Sequence, residues 1–329
     1  MKQGKVSDSV LKRSVLKKLK TNREEVIFGA ALGEDCAVLS FKEEEAYVTG
    51  TDSVTCMGKA SGAVAVCAAA NDLAASGAEP IAVLVSALFP GSISEEDIKE
   101  TMTEIEEQCS ILHMQVAGGH TEVTSAVTRP VLTVTGIGKT KEPVFTKGAL
   151  PGQDVVVSKW IGLEGSYILA KEKEKELLTR YPVTVTDTAL SFLQYLPVVH
   201  EAATAMKSGV RVMHDVSEGG IFSALWQLAE CSGVGLEIDL KQIPVKQETV
   251  EICEFFGLNP YEIASAGALL MVTDNGADLV KALAKENISA AVIGKITDGN
   301  DRVVINEDER RFLEPSRADE LYKMFQERK

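Results

Sequence analysis

Asn71-Asp72-Leu73-Ala74-Ala75-Ser76-Gly77-Ala78-Glu79-Pro80 closes a run of Ala, Val and Cys that begins near Ala60. Residues 59–76 read as one helix, nearly all Ala, Val and Cys, which stops where Gly77 and then Pro80 supply an ordinary helix terminus. A helix that is apolar on every side is a buried helix. An ionised Asp72 inside it is costly unless it is paired, hydrogen-bonded or bound to a metal. Two readings stay open: Asp72 accepts local backbone hydrogen bonds near a loop, or it serves a magnesium ion or a substrate. Beyond this block, 81–89 reads as a buried strand and Pro90–Gly91 as a turn. Ser94 with Asp97 forms a capping box for a helix reaching about Leu112.

Working outward, 36–41 and 46–51 read as strands paired as a hairpin across the charged turn 42–45. Residues 114–117 and 131–138 are further strands. The segment 148–152 carries two Gly and one Pro, and a new strand follows it, so the domain boundary is placed there, giving 1–148 and 149–329. The second half also mixes strands and helices. It holds strand 155–158, helices near 165–175 and 188–207, strand 210–213 and helix 220–231. Strands 236–240 and 268–273, a helix near 277–286 and a strand at 290–293 follow. The polar tail 316–329 reads as a surface helix. The fold class is α/β (α+β) in two domains.

Composition bounds the function. The 329 residues are 45% hydrophobic and only 5% aromatic, which suits two ordinary cores of small aliphatic side chains. A net charge of −14, from 34 basic and 48 acidic residues, argues against a nucleic-acid partner. The one basic cluster, Lys12, Arg13, Lys17, Lys18 and Lys20, interleaves with Leu11, Val15 and Leu19 at helical spacing and reads as a solvated helix face. The longest apolar stretches, near 60–70 and 81–89, are too short for a bilayer, so no membrane partner is expected. Six cysteines without a CxxC pair read as reduced thiols in a cytoplasm. Four histidines and no HExxH give a structural zinc little support.

Four acidic motifs carry the chemistry: Gly33-Glu34-Asp35-Cys36-Ala37 leading into a strand, Thr51-Asp52 at the end of the next, Asn71-Asp72 in the apolar helix, and Gly118-Gly119-His120-Thr121-Glu122 after a strand. Turn acids are common, so Asp35 or Asp52 alone is weak evidence. With Asp72 they could form an oxygen-rich site for a hard divalent cation, and magnesium favours few carboxylates completed by phosphates and water. Bare carboxylates repel a triphosphate, so such a cluster binds ATP only through metal. Gly118-Gly119 lets backbone approach a phosphate closely, with His120 and Glu122 pointing into the same space. His120 could carry a proton near neutral pH. The alternative is a Gly-Gly turn with a surface histidine.

The second half contributes His214-Asp215-Val216-Ser217-Glu218-Gly219-Gly220, which ends a strand and opens a helix. Helix starts attract anions. Ser217 is a candidate N-cap with Glu218 in the first turn, and pure capping would need no ligand. The turn 159–166 is a second, weaker candidate for substrate or phosphate. Gly138-Lys139-Thr140 is not a P-loop, because Thr133 stands where the first Gly belongs. Gly136-Ile137-Gly138 is not a dinucleotide fingerprint, because Lys141 occupies the third glycine position. No GxSxG elbow exists.

In this order the motifs resemble the superfamily of aminoimidazole ribonucleotide (AIR) synthetase, which includes HypE, thiamine-monophosphate kinase, selenophosphate synthetase and formylglycinamidine ribonucleotide synthetase. The 71–80 block is the specific part, and Pro151-Gly152-Gln153-Asp154 opening the second domain also fits. The resemblance implies an N-terminal sheet domain that forms a barrel across a homodimer and a C-terminal α/β domain. It implies ATP and Mg2+, with metal ligands Asp35, Asp52 and Asp72. Gly33, Gly118, Gly119, Asp215, Glu218, Gly219 and Gly220 would lie along the nucleotide, and His120 and Asp72 would be catalytic. The chemistry would be attack of a small molecule's oxygen or other heteroatom on the γ-phosphate. The chain departs from HypE in ending Gln326-Glu327-Arg328-Lys329 with no cysteine after Cys253, which puts carbamoyl chemistry on its own tail in doubt. It also lacks the reactive residue of selenophosphate synthetase within 1–25. It looks most similar to AIR-synthase-related, HypE-like proteins. The alternatives are a hydrogenase maturation factor acting on a partner's cysteine, and a nucleotide-binding sensor or scaffold without turnover.

Overall fold

The computed structural model describes residues 4–5, 7–31, 37–55, 57, 61–314 and 318–325. The chain divides into two units, 1–73 with 78–143 and 74–77 with 144–329. In the first, the strands are β1 (Gly4–Lys5), β2 (Val26–Phe28), β3 (Val38–Leu39), β4 (Ala46–Val54), β5 (Glu79–Phe89), β6 (Gln115–Val123) and β7 (Val131–Thr140). The helices are α1 (Gly62–Ala75) and α2 (Glu95–Ile111).

Five strands form one sheet in the order β1-β6-β5-β7-β4, and β2 pairs with β3 separately. One face of the sheet is buried. Val83, Val85 and Val134 are at most 4% exposed, whereas Leu84, Ser86, Thr133 and Thr135, alternating with them, are not buried. Small residues let α1 lie close to this buried face. A Cβ on Gly136 of β7 would come within 2.9 Å of Leu73 Cδ1 and 3.1 Å of the Ala69 carbonyl. The capping box of α2 is present: Ser94 Oγ accepts from the Asp97 N–H, and Asp97 Oδ2 accepts from the Ser94 N–H.

Several expectations need correcting. The expected hairpin of 36–41 with 46–51 does not form. β3 pairs antiparallel with β2, and β4 pairs along its whole length with β7. A nine-residue ladder with a long partner outweighs what a two-residue strand could offer the same edge. Asp52 is not at a strand end, since β4 continues to Val54. Gly118–Glu122 is not a turn after a strand but the body of β6. The helix expected from Lys59 begins at Gly62, and residues 58–60 lie outside those described. Its all-round burial also fails. Asn71 is 1% exposed, while Asp72 is half-buried on the same stripe as Ala68 and Ser76.

In the second unit the strands are β8 (Asp154–Ser158), β9 (Val212–Val216), β10 (Gly235–Asp239), β11 (Ala268–Thr273), β12 (Ala290–Thr297), β13 (Arg302–Asn306) and β14 (Glu309–Phe312). They form one sheet in the order β14-β13-β10-β12-β8-β11-β9. Its main helices are α3 (Leu163–Glu172), α4 (Val183–Leu190), α5 (Val199–Lys207), α6 (Gly220–Ser232), α7 (Gln247–Phe256) and α8 (Gly276–Lys285). Central strands β8 and β11 are apolar at nearly every position because both faces are covered. Val155, Val157, Leu270 and Val272 pack with Ile221, Leu225 and Leu228 of α6. Val156, Leu269 and Met271 pack with Ala205 of α5 and Leu279 and Leu283 of α8.

The single helix expected over 188–207 is interrupted. α4 ends at Leu190, a 3-10 turn spans Ser191–Tyr195, and α5 starts only after Pro197, whose ring cannot continue a helix. α7 and the β13–β14 hairpin add to the expected elements. The tail is not a surface helix where it is described: Glu320–Met324 is a short 3-10 turn, and Asp319 and Leu321 are 4% and 3% exposed.

Candidate functional site

Asp72 reaches the sheet through a missing side chain. Gly50 of β4 lies beneath it, and a Cβ there would be 3.1 Å from Asp72 Oδ2. Glycine inside a strand is a mark of such close approach. Two residues along the same strand, and so on the same face, stands Asp52. The structure therefore brings Asp52 and Asp72 to the α1 side of the sheet. Asp35 and Gly33 lie outside the described residues. Among the described residues, no group of three or more His, Cys, Asp or Glu side chains is arranged to hold a metal ion.

Register places the other candidates. Asp52 pairs with Val134, Val134 with Val85, and Val85 with Gly119, so Asp52 and Gly119 share one row. Three strand steps separate them, about 14 Å. The next row is Ser53, Thr133, Ser86 and His120, and it belongs to the opposite face. His120 is thus not brought together with Asp72. It lies on the open face, where Nε2 is 3.1 Å from Glu122 Oε2. The same face carries a ladder of hydroxyls, with Thr51 bonded to Thr135 at 2.8 Å and Ser53 to Thr133 at 2.7 Å.

Gly119 is required by packing. A Cβ there would sit 2.0 Å from the Val85 carbonyl of the neighbouring strand. Gly118, Gly119 and His120 also line a cavity of about 580 Å3, which the Leu11–Leu19 segment walls on one side. The basic residues of that segment face out as expected: Arg13 pairs with Glu95 at 2.5 Å. Its apolar residues, however, face this cavity.

In the second unit, His214 and Asp215 lie on β9. His214 Nε2 is 2.9 Å from Gln227 Oε1, and Asp215 is 9% exposed. Ser217 is not the N-cap: α6 is preceded by Gly219 at φ 80°, without a side-chain cap, and Glu218 is outside the helix. Gly219 and Gly220 both adopt left-handed backbone, and a Cβ on Gly220 would meet the Tyr261 carbonyl at 2.5 Å. The anion at this helix start is the chain's own. Asp319 Oδ2 accepts from the Gly219 N–H at 2.6 Å, and Oδ1 from the Leu321 N–H at 2.8 Å. Burial pushes the Asp319 carboxyl up to about 6, opposed by these N–H groups and that of Ala264, and aided by the charge of Glu218. Asp319 carries no recognisable motif; only the open N–H groups at the helix start call for such a partner. The turn at 159–166 is likewise satisfied internally. Lys159 forms a buried ion pair with Glu201 and donates to the Pro197 carbonyl at 2.6 Å.

Residues 33–140 match the sequence pattern of the AIR synthase related protein N-terminal domain, and residues 151–306 that of its C-terminal domain. The chain belongs to the AIR synthase-related family. Among curated proteins, it is 26% identical over 315 residues to a protein of Methanocaldococcus jannaschii named for hydrogenase expression and formation, covering 92% of this chain and 91% of that one. It is 27% identical over 275 residues to carbamoyl dehydratase HypE of Rhodobacter capsulatus, covering 81% and 77%. The crystal structure of the hydrogenase maturation protein HypE in complex with ATP superposes with a TM-score of 0.78 at 18% identity, covering 93% of each chain. At that identity, the superposition establishes the two-domain AIR-synthase-like fold. No helix among the described residues is long and apolar enough to cross a membrane.

Proposed function

We propose that the chain is an ATP-dependent enzyme that binds magnesium–ATP through Asp52 and Asp72 and uses the terminal phosphate to activate an oxygen or other heteroatom of a small molecule. The observation that carries this reading is the seating of the Asp72 carboxylate against Gly50, on the same face as Asp52. Two carboxylates fit magnesium, which takes one or two from protein and the rest from phosphate and water. The metal would supply charge neutralisation to the triphosphate, and positioning would do the rest. Asp35 is proposed as a third ligand, with Gly33, Gly118 and Gly119 beside the phosphates. His120 is proposed to act from the open face. Asp215 and Glu218 are the second unit's candidates; Gly219 and Gly220 are already accounted for by the turn they make.

The family and the names of its relatives support the reading: a carbamoyl dehydratase and a HypE solved with ATP. We assign 1–148 as the nucleotide-binding and dimerisation domain and 149–329 as the second domain. The polar open face and the position of β4 at the end of the described sheet suit a homodimer. Calorimetric titration with ATP, with and without magnesium, tests the core claim. Tight binding should require magnesium, and Asp72→Asn should weaken it strongly. Unchanged binding in that variant would remove Asp72 from the site.

The relatives' names favour a second reading within the same chemistry, hydrogenase maturation on a partner's cysteine. Cys253 does not suit the role of acceptor. It is 1% exposed, and burial pushes its thiol up to about 12, with Glu320 and Asp319 adding to the shift. Transfer of a carbamoyl-derived group to a partner's thiol, followed by mass spectrometry, distinguishes this reading from activation of a free metabolite.

A further inference from the structure

The open face of the first sheet carries one contact with a fixed chemical sense. Along β6, Thr121 and Val123 are buried, while His120 and Glu122, two residues apart, stand together on the opposite side. Neighbouring strands hold β6 on both edges, β5 through the pairs Ser86–His120 and Leu88–Glu122, and β1 through Lys5–Glu122. The backbone beneath both side chains is therefore fixed. His120 Nε2 lies 3.1 Å from Glu122 Oε2. A carboxylate accepts hydrogen bonds and donates none, so the contact requires a neutral imidazole to carry its proton on Nε2. The ring's lone pair, which is its one place to take up a proton, is then on Nδ1. The two side chains are 45% and 33% exposed, and a pair so open to water contributes little to stability. What the contact does fix is the tautomer and the direction of the ring.

We infer that Glu122 is a positioning residue that holds His120 protonated on Nε2, so that Nδ1 takes the proton of the attacking heteroatom. The inference rests on the function proposed above, in which His120 acts from the open face. In that step the acceptor's heteroatom forms its bond to the γ-phosphorus. The bond from that phosphorus to the bridging oxygen breaks, ADP departs, and the heteroatom's proton passes to Nδ1. The imidazolium so formed keeps its Nε2–H on the Glu122 carboxylate, whose negative charge stabilises it. His120 is exposed enough to return the proton to water afterwards. Without Glu122 the ring would turn about its side-chain bonds and exchange tautomers, and each unproductive state would subtract from turnover without changing how the nucleotide is held.

The test uses the full chain with isotope-labelled histidine, and each readout is repeated in Glu122→Ala and Glu122→Gln. At about pH 8, above the ordinary histidine range, the NMR signals of the His120 ring nitrogens should show a neutral ring protonated on Nε2 alone. His120→Gln assigns those signals. Glu122→Ala should give a mixture of both tautomers. It should also release ADP from magnesium–ATP, with water as the acceptor, at a kcat lower by at least about tenfold, since positioned proton transfer is worth about 10²–10⁴-fold. KM should stay within about twofold, because the loss falls on the transition state. Glu122→Gln leaves a carbonyl oxygen that can accept from Nε2, so its turnover should recover in proportion to the Nε2-protonated form. A merely structural role would lower the melting temperature or raise KM and leave kcat and the tautomer alone. The inference is overturned if the neutral ring carries its proton on Nδ1, or if the ring is still doubly protonated at that pH. It is equally overturned if Glu122→Ala keeps either the unaltered spectrum or the unaltered kcat. A chain that shows the tautomer but neither binds nor turns over magnesium–ATP fails the function proposed above, and this role with it. One that turns over ATP with the proton on Nδ1 fails this inference alone.

Discussion

Replacing Gly50 by Ala should weaken metal binding while leaving stability almost unchanged. The added methyl would stand 3.1 Å from Asp72 Oδ2 and 3.6 Å from its Cβ. Ordinary contact needs roughly 0.3 Å more, so the carboxylate must shift by about that amount. Magnesium holds its oxygens at about 2.0–2.1 Å in near-ideal octahedral geometry, and such a shift is a large fraction of its tolerance. We expect magnesium-dependent ATP affinity to fall at least about tenfold, equivalent to about 1.4 kcal/mol. The fold should hardly suffer. Gly50 is not in the left-handed region, and Gly→Ala at a compatible position gains about 0.4–1 kcal/mol by restricting the unfolded chain, offset in part by the tight contact. The melting temperature should therefore stay within about 2 °C. Calorimetry with and without magnesium, paired with thermal melts, reads both quantities. Gly91→Ala sets the baseline, since a Cβ there meets nothing within 4 Å. If Gly50→Ala leaves the magnesium-dependent affinity at the Gly91→Ala level, Asp72 does not ligate the metal, and the carboxylate site is wrong.

Gly119→Ala has no such room. Its Cβ would lie 2.0 Å from the Val85 carbonyl, so β5 and β6 must part, and we expect a loss of about 3 kcal/mol in urea unfolding; an unmoved midpoint would contradict the pairing of Gly119 with Val85. Glu25 is 6% exposed, and its carboxyl is held down to about 2 by Arg23 first and also by Lys139, against the opposing effect of burial. Its stabilisation is present above about 4.5 and is lost as pH falls toward 2, at most about 3 kcal/mol. Glu25→Gln should flatten the acid limb of a denaturation series, and an unchanged limb would show that other carboxylates govern it. Asp319 has the opposite sign. With its carboxyl raised to about 6, its contribution is full below about 3.8 and disappears as pH rises through 6, a change of about 3 kcal/mol. Protection of the 318–325 amides, measured relative to their intrinsic base-catalysed exchange, should fall over that interval, and Asp319→Asn should remove that fall; an equal fall in both proteins would refute the assignment.

The parts legible in the sequence are those whose causes are local. α1 and its stop at Gly77, the strand that follows, and the Ser94–Asp97 cap depend on neighbours within a few residues, and each stands as read apart from a few residues at its ends. What fails depends on distant partners. Adjacency assigns the strand at 38–39 to β4, whereas β4 pairs with the much longer β7. Gly118-Gly119 looks like a turn because glycine permits one, yet the absent Cβ of Gly119 serves the approach of β5 and the strand runs on. The candidate acids and His120 read as one cluster, since spacing along the chain does not show which face of a sheet a residue takes. That depends on the register of β4, β7, β5 and β6 together, and it divides His120 from Asp52 and Asp72. The start of α6 shows the limit most clearly. Open N–H groups there predict an anion, and an anion is present, but it is Asp319, a hundred residues along the same chain. A helix start therefore specifies the charge it attracts and not its owner. In this protein, the second unit's glycine motif is already satisfied from within, so the search for bound phosphate belongs with Asp52 and Asp72.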